Sequence, residues 1–209
     1  MEIFALIAYI INFSLNFVFN VKKLRTGSFI TKALITPILL FMYLARSEEP
    51  QIFVILALSF CFLGDIFLES SNYFIPGLSA FLVGHIFYAL RFLSDIGTVS
   101  KIPWWIFLFA IVYLVYGIIF CSKLTIPNPK KRMAVYIYTT TILFVSFLSL
   151  LRVGSATAYS FWIVLLGTLL FIISDSILAY SMFKKRNSYS SVLLMATYGV
   201  AQLLIILGI

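Results

Sequence analysis

Eight apolar runs, each close to twenty residues long, follow one another along this chain with only short polar breaks between them. They lie at residues 3–20, 28–45, 51–69, 74–94, 103–121, 133–151, 157–182 and 190–208. A helix rises about 1.5 Å per residue, so about 20 apolar residues cross the hydrocarbon layer of a bilayer. No water satisfies the backbone inside that layer, which leaves helices or closed barrels as the spanning structures. Barrel strands would alternate lipid-facing and lumen-facing residues; these runs are continuous. The pattern predicts an all-α, polytopic membrane bundle of eight transmembrane helices, in a single domain spanning residues 1–209.

Composition supports this. The chain is 63% hydrophobic, 18% aromatic and 11% charged, with a mean hydropathy of +1.10. A soluble domain is roughly 45–50% apolar and about 25% charged. A soluble domain, a disordered chain and a disulfide-rich module are all excluded. Cys61 and Cys121 fall inside or at the end of apolar runs and read as small apolar residues. The net charge of +8 does not point to nucleic acid, which needs basic residues gathered on an aqueous face. Here they form short clusters between apolar runs, a pattern that sets topology and meets anionic headgroups. The expected partner is therefore the bilayer.

The first run begins at Ile3 behind Glu2, with no Lys or Arg before it. A secretory signal would carry positive charge ahead of its apolar stretch; here the cluster Lys22, Lys23 and Arg25 follows. The run reads as a retained helix. Breaks after odd-numbered runs hold ten basic residues: Lys22, Lys23, Arg25, Lys123, Lys130, Lys131, Arg132, Lys184, Lys185 and Arg186. The other breaks, with their helix ends, hold four: Arg46, Arg91, Lys101 and Arg152. Basic loops stay cytoplasmic. Both termini are thus expected on the outer side, with Trp104, Trp105 and Trp162 near the outer boundary. Short loops and the lack of targeting tails favour a bacterial inner membrane.

Gly64-Asp65-Ile66-Phe67-Leu68 resembles Ser174-Asp175-Ser176-Ile177-Leu178, 110 residues later, and Tyr88 and Tyr198 each follow their aspartate by 23 residues. A four-plus-four parallel duplication would produce this; so would chance matching in an apolar sequence.

An ionisable side chain in hydrocarbon costs about 2.5–3.5 kcal/mol on insertion scales, so it faces the bundle interior or water. Lys32, Asp65, His85 and Asp175 stand within the runs. On the topology above, all four and Tyr198 fall in the cytoplasmic half or near the midplane. That shared depth predicts a polar pocket opening toward the cytoplasmic side. Each residue also has a plainer reading. Lys32 could snorkel to the interface, Asp65 could end its helix with a polar contact, and His85 could be a hydrogen-bonded interior histidine. Asp175, between Ser174 and Ser176 in a long apolar helix, is the hardest to explain structurally. Glu69 shares a helix face with Asp65 but lies at the interface and reads as solvated. Asn12, Asn16 and Asn20 form a stripe that reads as interhelical hydrogen bonding, or as pocket lining.

With a single histidine, a three-histidine zinc site is impossible, though His85 with the two aspartates could in principle hold a metal. There is no Gly-x-Ser-x-Gly elbow and no phosphate-binding glycine loop. Two carboxyl groups remain. In apolar surroundings a carboxylic acid can retain its proton near neutral pH and donate it, while a second carboxylate activates water. Split roles of this kind serve acid-catalysed hydrolysis of ethers and acetals. In a membrane the substrate would be a lipid.

Several of these residues together resemble the YhhN-like lysoplasmalogenases, an eight-helix membrane family. The matching pieces are Thr31-Lys32 with Thr36-Pro37, Gly64-Asp65-Ile66-Phe67-Leu68, Gly77, Phe81, Gly84-His85 and Tyr88, Ser174-Asp175-Ser176, and Tyr198 with Gln202. They occur in family order over nearly the whole chain. Ala33 stands where many relatives have proline after the lysine. The resemblance implies hydrolysis of the vinyl-ether bond of a lysophospholipid substrate, giving a fatty aldehyde and a glycerophospho-alcohol. In that chemistry Asp175, deeper in its helix, is the expected acid and Asp65 the base. Lys32 is expected to meet the lipid phosphate. His85, Tyr88, Tyr198 and Gln202 complete the expected substrate-binding set, with no metal and no cofactor. The competing readings are a proton-coupled transporter and a metal-dependent intramembrane lipid hydrolase.

Overall fold

The computed structural model describes residues 1–97, 102–184 and 189–209. Lys101, Lys185 and Arg186, which enter the charge assignments above, lie outside the described residues. Each apolar run becomes a helix: α1 (Glu2–Val21), α2 (Arg25–Arg46), α3 (Ile52–Phe67), α4 (Phe74–Asp95), α5 (Phe109–Lys123), α6 (Pro129–Leu151), α7 (Ala158–Phe183) and α8 (Ser190–Gly208). Short 3₁₀ turns at Ser71–Tyr73 and Trp104–Leu108 lead into α4 and α5. No strand occurs among the described residues. Among the described residues, seven helices, counting α4 and α5 with their lead-in turns, are long and apolar enough to cross a membrane. The chain is an integral membrane protein.

Local chemistry explains where the helices depart from the expected limits. α1 ends on Lys23, whose left-handed backbone (φ 56°) lets the Leu24 amide return to the Phe19 carbonyl at 2.9 Å. α6 starts at Pro129 rather than 133. The Asn128 side chain caps the Lys130 and Lys131 amides at 2.9 and 3.2 Å, and proline suits the first helical position. α3 is shorter than the expected 51–69. Its 16 residues rise about 24 Å, and the chain then tightens, with Glu69 and Ser70 amides reaching back three residues to Ile66 and Phe67.

Contacts between helices trace a ring: α1, α2, α3, α4, α6, α7, α8 and back to α1. α5 stands outside it against α6, with no buried residue. This asymmetry does not follow a four-plus-four repeat, in which α1 and α5 would hold equivalent places. The asparagine stripe stitches α1 to α2. Asn12 donates to the Thr31 carbonyl at 2.8 Å, and Asn16 to the Ser28 carbonyl and Thr31 hydroxyl at 3.0 and 2.9 Å.

Both chain termini lie at one end of the bundle. Arg46, closing α2, meets Glu2 at 3.8 Å and donates to the Leu207 carbonyl at 2.9 Å. Trp104, Trp105 and Trp162 are exposed there. A buried charge cluster also lies at this end: Asp95 takes Arg152 at 2.7 Å and, from the preceding turn of its own helix, Arg91. Arg152 also donates to Ser160 at 2.8 Å and stacks over Phe92 at 5.3 Å. Arg91 and Arg152, counted above with loop and helix-end charge, are 7% and 1% exposed. The Arg91–Asp95 spacing of four residues is the sequence pattern that could have marked this pair. The opposite end carries the basic loops and the exposed Arg25–Glu69 contact at 3.4 Å.

Candidate functional site

The polar residues predicted to share a depth do so, toward the basic end. At about 1.5 Å per residue, Lys32, Tyr138, Asp175 and Tyr198 each lie about 10–14 Å inside that end of their helices. His85 is somewhat deeper, and Asp65 is near the end of the short α3.

Lys32 turns inward. Its ammonium lies 3.6 Å from an Asp65 carboxylate oxygen, with the lysine side chain 17% exposed and the aspartate 1%. It therefore does not snorkel to the interface. The other Asp65 oxygen accepts the Tyr198 hydroxyl at 2.6 Å. Gly64 makes room for this pairing: a Cβ there would come within 2.4 Å of the Phe81 ring, which packs edge-on against Tyr198 at 6.1 Å. Across the ring, α6 supplies a residue absent from the sequence-based set. The Tyr138 hydroxyl donates to Asp175.

A row of rings connects the two carboxylates. Tyr198 packs on Phe171 at 5.5 Å, Phe171 on His85 at 4.5 Å, and His85 on Tyr138 at 5.7 Å. His85 itself bonds through Nδ1 to the Phe81 carbonyl one turn back, at 2.8 Å. Tyr88 donates to Gln202 at 2.8 Å, joining α4 to α8. Glu69 stays at the exposed rim with Arg25.

The two aspartates differ in access. Asp65 is sealed between a cation and a phenol. Asp175 is half-buried and lines a cavity of about 30 Å³ whose other walls are mainly apolar residues of α4, α5, α6 and α7. Among the described residues, no three His, Cys, Asp or Glu side chains come together as metal ligands, so His85 and the two aspartates are not arranged as a metal centre.

The YhhN family model matches residues 27–209, which spans Lys32, Asp65, His85, Tyr88, Tyr138, Asp175, Tyr198 and Gln202. The chain belongs to the YhhN family. It is 31% identical over 170 residues to lysoplasmalogenase TMEM86A of Homo sapiens, covering 79% of this chain and 67% of the relative. It is 30% identical over 173 residues to the Bos taurus lysoplasmalogenase TMEM86A, with the same coverage. No solved structure matches. The family match also takes in Tyr138. Its signal in the sequence is weak, because tyrosine is common in this chain and Tyr138 sits in an unremarkable stretch, Val135-Tyr136-Ile137-Tyr138.

Proposed function

We propose that this chain is a lysoplasmalogenase, hydrolysing the vinyl-ether bond of a single-chain phospholipid within the membrane. The observation that carries the reading is a row of packed rings linking Asp65 and Asp175, one sealed against Lys32 and Tyr198, the other facing a mainly apolar cavity. Asp175 is the acid because a vinyl ether approaching from the apolar side that its cavity faces reaches it first. It protonates the vinyl carbon distal to oxygen, giving an oxocarbenium ion. Water adds at the carbon bonded to oxygen, and its proton passes to Asp65. The resulting hemiacetal collapses: its hydroxyl proton returns to Asp175, Asp65 protonates the departing glycerol oxygen, and the C–O bond breaks. One water is consumed, one fatty aldehyde and one glycerophospho-alcohol leave, and both carboxyl groups are restored.

Lys32 holds Asp65 in place and directs its remaining N–H donors at the phosphate, a point charge on a flexible stem. Tyr138 fixes the Asp175 carboxyl. His85, held by the Phe81 carbonyl, together with the Tyr88–Gln202 pair, shapes the wall against which water and the glycerol lie. Basic loops at the site's end of the bundle support an orientation toward the cytoplasm, and the short loops favour a bacterial inner membrane.

The test is aldehyde release from a vinyl-ether lysophospholipid by purified protein in detergent. General acid–base groups contribute about 10²–10⁴-fold. Asp65→Asn and Asp175→Asn should each lose at least that much while eluting as folded protein. Full turnover in Asp175→Asn would overturn the two-carboxylate mechanism. A folded wild type that releases no aldehyde would overturn the substrate assignment and bring the carrier reading forward.

A further inference from the structure

α5 is the one helix outside the ring, and it leaves a groove against α7. Ile111, Val112, Leu114 and Ile118 of α5 are exposed, so in a bilayer this part of the molecule faces lipid. The groove between α5, α7 and the start of α8 holds about 520 Å³, within the roughly 300–1,000 Å³ typical of ligand sites. Its walls are apolar and aromatic, with Ile173, Ile177 and Tyr180 along α7. Tyr116, Phe120 and Ser176 line both this groove and the small cavity that holds Asp175. The two spaces thus share one wall, and a hydrogen bond crosses it: the Tyr116 and Ser176 hydroxyls lie 2.7 Å apart, tying α5 to α7. At about 30 Å³, the inner cavity has room for a water or two and none for a lipid chain. The wall that carries this bridge therefore stands between the groove and the Asp175 cavity.

We propose that the α5–α7 groove is the binding site for the substrate's single aliphatic chain, which enters sideways from the leaflet and brings the vinyl ether to Asp175 when the Tyr116–Ser176 bridge opens. The inference rests on the lipid-hydrolase reading above. The occupant is an aliphatic chain because the groove opens on lipid, its lining is mainly apolar and aromatic with hydroxyls at Ser176 and Ser190, and it leads toward an acid. Among the described residues no charged side chain lines the groove, although Lys184 lies over the ring of Tyr180 at 5.4 Å. α5 can swing because it packs on α6 and its own lead-in turn alone, apart from minor contacts.

The test compares kcat/KM for vinyl-ether lysophospholipids of long and short chain. Ile173→Trp and Ile177→Trp fill the groove and should lower the long-to-short ratio at least tenfold. Ile7→Trp, on the exposed face of α1, should leave the ratio unchanged. Folded groove variants with an unaltered ratio would overturn the proposal. If tryptophan disrupts folding, Ile177→Cys in a Cys121→Ser background replaces it. A non-hydrolysable alkyl-ether lysophospholipid should slow maleimide labelling of that cysteine at least fivefold, and labelling at an unchanged rate would overturn the site. Wild-type protein that releases no aldehyde would refute the enzyme reading. Wild-type turnover with an unaltered ratio would refute the groove alone.

Discussion

Replacing Asp95 with asparagine leaves two arginines facing each other inside the protein. Arg152 is 1% exposed and Arg91 7%. Asp95 answers both, taking Arg152 Nε at 2.9 Å and Nη2 at 2.7 Å on one oxygen and Arg91 on the other. Breaking a buried ion pair by removing one partner costs about 3–5 kcal/mol, because the remaining charge stays uncompensated. Here the carboxylate is 21% exposed, so water shares some of the load and the lower part of that range applies, about 3 kcal/mol. The loss acts on several helices at once, since Arg152 also ties α6 to Ser160 of α7, which bonds the Gly208 carbonyl of α8. Cys61, fully buried, is a built-in reporter. In a Cys121→Ser background, thermal exposure of Cys61 to a fluorogenic maleimide gives the unfolding midpoint. Asp95→Asn should lower that midpoint clearly, and adding Arg152→Met should recover most of the loss by removing the stranded charge. Aldehyde release at a permissive temperature should persist, since this cluster lies at the opposite end from the site. An unchanged midpoint, or a double variant less stable than the single, would refute the account of the cluster as one charge-compensated unit.

Tyr138→Phe removes the hydroxyl that holds Asp175. A hydrogen bond to a charged group is worth about 1.5–3 kcal/mol, so kcat/KM should fall about 10–150-fold with the unfolding midpoint little changed; wild-type kinetics would show that Tyr138 does not position the acid. Asn16→Ala deletes the donor to Ser28 and Thr31. Polar contacts between membrane helices average about 0.6 kcal/mol and reach about 1.7, so a small drop in the same thermal assay is expected, and a loss comparable to Asp95→Asn would be too large for those bonds.

The spanning helices were legible because bilayer thickness imposes a length on every run. A run of twenty apolar residues has few other ways to satisfy its backbone. The limits of α6 were harder. Lys130, Lys131 and Arg132 look like loop residues on hydropathy, yet Asn128 and Pro129 make them the first turn of a helix. Charge counts led to an expected topology but hid structure. Arg91 and Arg152 counted as interfacial positives, although pairing with Asp95 lets both be buried. Composition treats each charge singly, while burial depends on partners from other helices.

The same limit shaped the reading of the site. Asp65, Asp175, Lys32 and Tyr198 stood out because each is a costly or polar group at one depth, and depth can be read from position along a helix. Which of them meet depends on how the helices are arranged around the ring, and depth says nothing about that. The internal echo between Asp65 and Asp175 invites the idea that each has an equivalent tyrosine partner, Tyr88 for one and Tyr198 for the other. The structure pairs them otherwise. Tyr198 crosses to Asp65, Tyr88 goes to Gln202, and Asp175 takes Tyr138 from α6. With α1 inside the ring and α5 outside it, two similar segments acquire different surroundings: a cation and a phenol close off Asp65, while the space left by the outlying α5 reaches Asp175. Two carboxylates in equivalent settings would have no basis for dividing acid from base. In the proposed mechanism the departure from symmetry supplies that basis, and it resides in the position of one almost featureless apolar helix.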